Sequence, residues 1–171
     1  HIHGDLSPDS LFVCQNGAIK IIGINRTRPS PDALTLGGEV LGNADYLAPE
    51  RIDRRHLDPA SDIYALGHTL YTLLAGRAPF AGNSPMATMI CQLNQDPPNL
   101  QRMATGINEG LIKIFEKMTG KEFDQRYKDS QQLLADVRLL KAGRDNRIDV
   151  FPKPEKVQGL TISMVKTSLT G

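Results

Sequence analysis

Apolar positions along the chain recur with two different periods. Near the start, Leu11-Phe12-Val13-Cys14 and Ala18-Ile19-Lys20-Ile21-Ile22 flank Gln15-Asn16-Gly17, and an Asn-Gly step between two short apolar runs is a strong signal for a β-hairpin. Further on the period lengthens. Between Ser61 and Ala75, Ile63, Leu66, Leu70, Leu73 and Leu74 recur at helical spacing, and Tyr64 and Tyr71 widen the apolar coverage beyond one stripe, which predicts a helix buried on several sides. Ser84-Pro85 opens a second helix running to about Asn94: the serine caps orphan N–H groups, and proline at the first position loses a hydrogen bond it could not make anyway. Ile107, Leu111, Ile114, Phe115 and Met118 form a third stripe ended by Gly120, and Asp129 with Gln132 resembles a capping box before Leu133, Leu134, Val137 and Leu140. From Asn25 to Asp45 the chain is rich in Arg, Thr, Pro, Ser and Gly without periodicity, which predicts an extended surface loop. Arg144 to Gly171 carries polar, Pro-bearing stretches with only a weak alternation around Leu160, Ile162 and Met164, and reads as linker. One hairpin followed by several helices is an α+β, mainly α, order, and no internal repeat suggests a solenoid.

Composition narrows the classes. With 40% hydrophobic and 23% charged residues the chain falls in the ordinary globular range, so most of it should fold, as one domain. Lys and Arg (20) balance Asp and Glu (19), a net charge of +1 that gives no steering toward nucleic acid or an anionic membrane. Cys14 and Cys91 lack C-x-x-C or Cys/His ligand spacing and read as two reduced thiols. No apolar run reaches the roughly 18 residues of a membrane span and no signal-peptide pattern opens the chain, so the expected location is the cytoplasm. The chain opens at His1, without Met, directly into a dense motif, from which further sequence before it is expected.

That motif, His3-Gly4-Asp5-Leu6-Ser7-Pro8-Asp9-Ser10, resembles the catalytic loop H-R-D-L-K-P-E-N of protein kinases and, as in that family, runs straight into the hairpin. At the family's spacing from Ser10, where D-F-G is expected, stand Gly23-Ile24-Asn25. Gly42-Asn43-Ala44-Asp45-Tyr46-Leu47-Ala48-Pro49-Glu50 is similar to G-T-x-x-Y-x-A-P-E, and Ser61-Asp62-Ile63-Tyr64-Ala65-Leu66-Gly67 to the D-x-x-x-x-G helix start. Leu74-Ala75-Gly76-Arg77-Ala78-Pro79-Phe80 matches that helix's end, and Arg126 falls where a late Arg pairs with the A-P-E Glu. The resemblance implies a protein kinase-like fold, with residues 1–142 as its C-terminal lobe from the catalytic loop onward, in a style closest to bacterial serine/threonine kinases. Residues 143–171 would be a flexible C-terminal linker. The N-terminal lobe's glycine-rich loop, strand Lys, partnering Glu and hinge have no counterpart here, nor does the helix that the family places before the catalytic loop, so an apolar surface on the central helix is expected to be uncovered.

The family's roles, carried over position by position, divide into two sets. Phosphoryl transfer is mostly positioning and neutralisation of charge, largely by Mg²⁺, a hard cation that takes oxygen donors. Gly23 stands at the metal-binding Asp and has no side chain; Ser10 stands at the metal-binding Asn with a short neutral hydroxyl. Asp5 keeps the place of the base, as residual base or as loop stabiliser with equal weight. Ser7 replaces the phosphate-contacting Lys, and Asn43 the Thr that buttresses the loop. Gly4 replaces an Arg that reads a phosphate on the activation loop, so Thr27, Ser30 and Thr35 have no expected reader. Phe12 occupies the floor of the nucleotide pocket. The scaffold set is retained: His3 as a packed core histidine, Asp62 accepting N–H bonds from the catalytic loop, and Glu50 with Arg126 as a buried bidentate pair. Tyr64, Tyr71 and Phe80 read as core or groove residues, and the Arg26/Arg28 and Arg54/Arg55 pairs as solvated loop charge. These losses imply a pseudokinase with a regulatory or protein-binding role, with no cofactor and a protein partner, its groove around the Ser84–Asn94 helix. The alternative is an active or weakly active ATP-dependent serine/threonine kinase with a rewired metal site, Asp9 being the nearest spare carboxylate, which would take Mg²⁺ and ATP.

Overall fold

The structure is a computed structural model and describes residues 1–23, 43–53, 58–80, 82–103 and 106–143. The expected loop up to residue 42, with Thr27, Ser30, Thr35 and the Arg26/Arg28 pair, lies outside them, as do Arg54/Arg55 and the expected linker from Arg144. Two antiparallel strands, β1 (Leu11–Val13) and β2 (Ile19–Ile21), pair with Leu11 opposite Ile21 and Val13 opposite Ile19. The loop between them is one residue longer than a two-residue Asn-Gly turn. Gly17 N–H donates to the Cys14 carbonyl, Cys14 N–H donates to that of Ala18, and Gly17 takes the left-handed position at φ 79°.

Five helices follow among the described residues: α1 (Pro49–Ile52), α2 (Pro59–Ala75), α3 (Pro85–Asn94), α4 (Glu109–Met118) and α5 (Ser130–Ala142). Each long helix starts on a side-chain cap. Asp58 accepts from Ala60 N–H, Ser84 from Ala87, Asn108 from Gly110, and Asp129 from Gln131 and Gln132. Thus α2 starts two residues before the expected Ser61, and α4 two after Ile107. At α5, Gln132 reaches back to the Lys128 N–H rather than to that of the cap residue.

The core is organised around α2. Its lower turns pack Ile63 with Ile114, Met118, Tyr127 and Leu133, its upper turns pack Tyr71 with Leu100, Ile112 and Phe115, and Ala65 meets Leu6 and Tyr46. Helices α2 and α4 approach closely at Gly67, where a Cβ would stand 2.6 Å from Thr119 Cγ2, so a side chain there would force them apart. Burial follows neighbours more than the leucine stripe: Tyr64, His68, Thr69 and Tyr71 are fully buried, whereas Leu73 is 58% exposed. The polar groups on the buried side have partners that permit this, His68 Nε2 excepted. Tyr64 OH donates to Gln92 Oε1 at 2.6 Å, Thr69 Oγ1 donates to the Ala65 carbonyl, and His68 Nδ1 lies 3.2 Å from the Asp45 carbonyl. Burial lowers the His68 imidazole pKa to about 3, so the ring is neutral.

The surface loop expected as far as Asp45 ends earlier. Ala44 and Tyr46 are buried in a short 3-10 turn, because Ala44 packs with Leu47 and Met89 and the Gln92 amide donates to the carbonyls of Ala44 and Asp45. Beside α2 a cavity of about 550 Å³ is lined by Ile2, Leu6, Ile21, Ile63, Leu66 and Leu133, an apolar recess on the central helix. No helix among the described residues is long and apolar enough to cross a membrane.

Arg126 donates through Nη1 and Nη2 to both oxygens of Glu50, at 2.9 and 2.5 Å, with the arginine side chain fully buried; Ser61 Oγ adds a bond to Glu50 at 2.6 Å. Burial alone would raise the Glu50 carboxyl, but the bonds from Arg126 and Ser61 and the Arg126 charge outweigh it and hold the pKa below the ordinary 4.5. Removing either partner strands a buried charge, so Glu50→Ala or Arg126→Ala is expected to cost about 3–5 kcal/mol in chemical denaturation. Because the folded-state pKa is the lower one, the pair's contribution is complete above the ordinary glutamate range and is lost as pH falls through 4.5 toward the folded value. Glu50→Gln should flatten that acid limb.

Candidate functional site

The segment from His3 to Ser10 is held by backbone hydrogen bonds to a side chain of the central helix. Asp62, in the first turn of α2, accepts from His3 N–H at 2.6 Å and from Gly4 N–H at 2.8 Å. His3 is buried; its Nδ1 accepts from Asp5 N–H at 3.2 Å and its Nε2 lies 2.8 Å from the Ile22 carbonyl, so the ring carries its proton on Nε2 and ties the loop to the end of β2. Asp5 lines a cleft of about 420 Å³, together with His3, Ser7, Asp9, Ser10, Ile22, Gly23 and Asn43. Of the residues singled out from sequence for chemistry, the cleft gathers Asp5, Ser7, Ser10 and Gly23 but not Phe12, whose ring stands on β1 at 54% exposure.

Two of the polar residues of this cleft, Ser7 and Ser10, are bonded to one another. Ser10 Oγ donates to the Ser7 carbonyl at 2.8 Å and accepts from Ser7 N–H at 3.1 Å, and both serines are buried. Its one proton is therefore committed to closing the turn over Pro8–Ser10. Asn43 Oδ1 accepts from Asp45 N–H at 3.1 Å as the cap of the next turn. Gly23 contributes only backbone, at φ 84°, in the left-handed region where Asp and Asn are the side-chain-bearing residues best tolerated.

Sequence reasoning missed Arg51. From α1 its guanidinium donates to the Gly4 carbonyl, and it is half-buried among Asp5, Asp62 and Glu50. Burial lowers its pKa from the ordinary arginine value, while those three carboxylates pull the other way. A cation thus reaches, from a different element, the very residue that lacks one at position 4. The available signal was the extra Arg directly after Ala48-Pro49-Glu50 in a chain with Gly at position 4.

Comparison with known proteins now decides the family. The protein kinase domain model matches residues 1–137. The chain belongs to the protein kinase family. This kinase domain is 32% identical over 139 residues to the serine/threonine-protein kinase PknB of Mycolicibacterium smegmatis, which covers 80% of this chain and 22% of that protein. It is 31% identical over 144 residues to the serine/threonine-protein kinase PknA of Corynebacterium glutamicum (84% and 30%), and 30% identical over 137 residues to a probable serine/threonine-protein kinase PknB of Lactococcus lactis (80% and 22%). The chain spans about a quarter of the length of the curated relatives it matches. The bacterial serine/threonine kinase style read from the sequence agrees with these relatives, and the mainly helical fold with one small sheet is the one expected for the C-terminal lobe.

The family implies magnesium and nucleotide, and the side chains here do not fit the metal as the family would hold it. Among the described residues no three His, Cys, Asp or Glu converge, the cleft's carboxylates are Asp5 and Asp9, and the Ser10 hydroxyl is closed onto Ser7. The loop's anchoring, in contrast, uses only hydrogen bonds. Asp62→Ala is expected to remove two charge-assisted bonds, worth about 2–3 kcal/mol at this partly exposed site, and Asp62→Asn less. Hydrogen exchange checks this: the amides of His3 and Gly4 should exchange at least about tenfold faster in Asp62→Ala, an increase no smaller than that of any amide in α4.

Proposed function

We propose that this kinase-family domain is deficient in phosphoryl transfer and works as a regulatory or protein-binding module, a pseudokinase. The observation that carries the reading is the contrast inside one cleft. The loop that would present a base is fully anchored, by Asp62 to His3 and Gly4 and by His3 to Ile22, while the positions that would donate oxygen to a cation offer a bare glycine and a hydroxyl turned onto its own backbone. In phosphoryl transfer the metal and the cationic side chains neutralise the developing charge, so a base at Asp5 without them has little to act with. Arg51 does not make up the deficit, because its guanidinium faces the loop carbonyl and three carboxylates. As protein-binding surface the reading uses α3, which exposes Met86 and Ile90 four residues apart.

A second reading, a rewired serine/threonine kinase, is favoured by one observation. Asp9 lines the same cleft as Asp5, and two carboxylates plus nucleotide phosphates are a common way of holding magnesium. The relatives, all named as serine/threonine-protein kinases, also favour it.

Phosphate transfer from labelled ATP, assayed on the intact protein that carries these residues, separates the two. The parent is expected to show none above background. Gly23→Asp with Ser10→Asn and Ser7→Lys is expected to raise transfer by at least about a hundredfold, since each electrostatic stabiliser is typically worth about 2.7–4 kcal/mol. The left-handed backbone at residue 23 should cost the new Asp only about 1–2 kcal/mol. Turnover by the parent at about 1–100 per second, abolished by Asp9→Asn, would establish the rewired kinase instead.

A further inference from the structure

Lys121 lies outside the cleft, between α4 and α5, with its amine set into the body of the domain. Nζ donates to the Gln92 carbonyl at 2.6 Å and to Tyr64 OH at 3.1 Å, and stands 4.7 Å from the centroid of the Phe80 ring. The tyrosine hydroxyl gives its own proton to Gln92 Oε1, so toward Lys121 it only accepts. A neutral amine has two N–H bonds and one lone pair. These two acceptors take both N–H bonds, and the lone pair is what remains. Lys121 also lines a cavity of about 330 Å³ whose walls include Pro97, Pro98, Leu100 and Phe115. Among the described residues no carboxylate is within ion-pair distance of the amine.

The charged and titratable groups facing it are Asp96 after α3, Arg126 from the segment before α5, Cys91 on α3 and Tyr64 on α2, and Glu116 on α4 shares the cavity. Burial lowers the Lys121 pKa to about 8; Asp96 opposes the shift, Arg126 adds to it and Cys91 opposes it weakly. About a fifth of the amine is then neutral at pH 7.4, against about a thousandth for a solvated lysine.

We propose that Lys121 is a covalent modification site, acylated by a small activated acyl donor that enters through this cavity. The Nζ lone pair attacks the acyl carbonyl carbon, the new N–C bond forms, and the bond from that carbon to phosphate oxygen or thioester sulfur breaks. The phosphate or thiolate leaves with the electron pair and the amine's proton goes to solvent. The product amide keeps one N–H, so it gives up either Tyr64 OH or the Gln92 carbonyl. Gln92 also binds the carbonyls of Ala44 and Asp45, so acylation would loosen α3 from the turn that leads into α1.

The test is site-resolved acylation of the intact protein at pH 7.4, with acetyl phosphate in one arm and acetyl-coenzyme A in the other, read by mass spectrometry at each lysine. The neutral fraction rises by roughly two decades and intrinsic nucleophilicity falls by about one, if amines follow the dependence known for thiols. Lys121 should therefore acquire acetyl about tenfold faster than the exposed Lys113, Lys117, Lys128 and Lys141. Its rate should level off near pH 8 while theirs keep climbing. Preference for Lys121 in either arm supports the proposal and names the donor. Labelling no faster than at Lys117, or none, in both arms overturns it.

Discussion

The carboxylate of Asp62 is the contact on which the site depends. Two N–H groups of the loop converge on it from His3 and Gly4, and the helix that carries it is the one every core cluster but one packs against. Loop position is in this way fixed by the most deeply embedded element of the domain. The buried Glu50–Arg126 pair does the same at the other end of the site, joining α1, with its Arg51, to the segment before α5. Neither anchor needs a metal or a nucleotide. The shape of the cleft therefore does not depend on the groups that carry out phosphoryl transfer, which is what the proposed reading requires.

Physical chemistry makes that separation natural. Hydrogen bonds from backbone amides to the Asp62 carboxylate, and from Arg126 to the buried Glu50, stabilise the fold whatever the cleft contains, and removing them leaves unsatisfied polar groups. Metal donors are under no such constraint: on the proposed reading, glycine at residue 23 and serine at residue 10 in place of oxygen ligands leave the anchoring bonds of Asp62 and Arg126 in place. At residue 10 the exchange even closes the turn, since the hydroxyl both donates to and accepts from Ser7. The same holds for the guanidinium at residue 51, which supplies a loop carbonyl with a donor where glycine at residue 4 has no side chain to offer.

How much of this the sequence revealed depended on how local each determinant is. The hairpin, the starts of α3 and α5 and the ordered motif series are local patterns and were legible. Asp58-Pro59 carried the same start signal as Ser84-Pro85, yet the leucine stripe drew attention two residues further on. On α2 the burial of Tyr64 and Tyr71 was legible as apolar coverage beyond one stripe, whereas that of His68 was not, because its partners, the Asp45 carbonyl and the Gln92 amide, lie more than twenty residues away. Within the site, residue identity alone flagged Gly23 and Ser10 as poor ligands. What identity could not show was where the serine hydroxyl points, or that Arg51 would stand beside Asp5, since both follow from tertiary placement. Lys121 was hidden for the same reason: only the fold brings Phe80, Tyr64 and Gln92 around its amine.

The central claim is that the cleft has kept its shape and lost its hold on a divalent cation. The most direct measurement is calorimetric titration of the intact protein with ATP, with and without Mg²⁺. The account predicts that magnesium leaves the heat and affinity of binding unchanged, whether or not nucleotide binds. A tenfold or greater tightening by the metal, lost when Asp5 and Asp9 are changed to Asn, would contradict it.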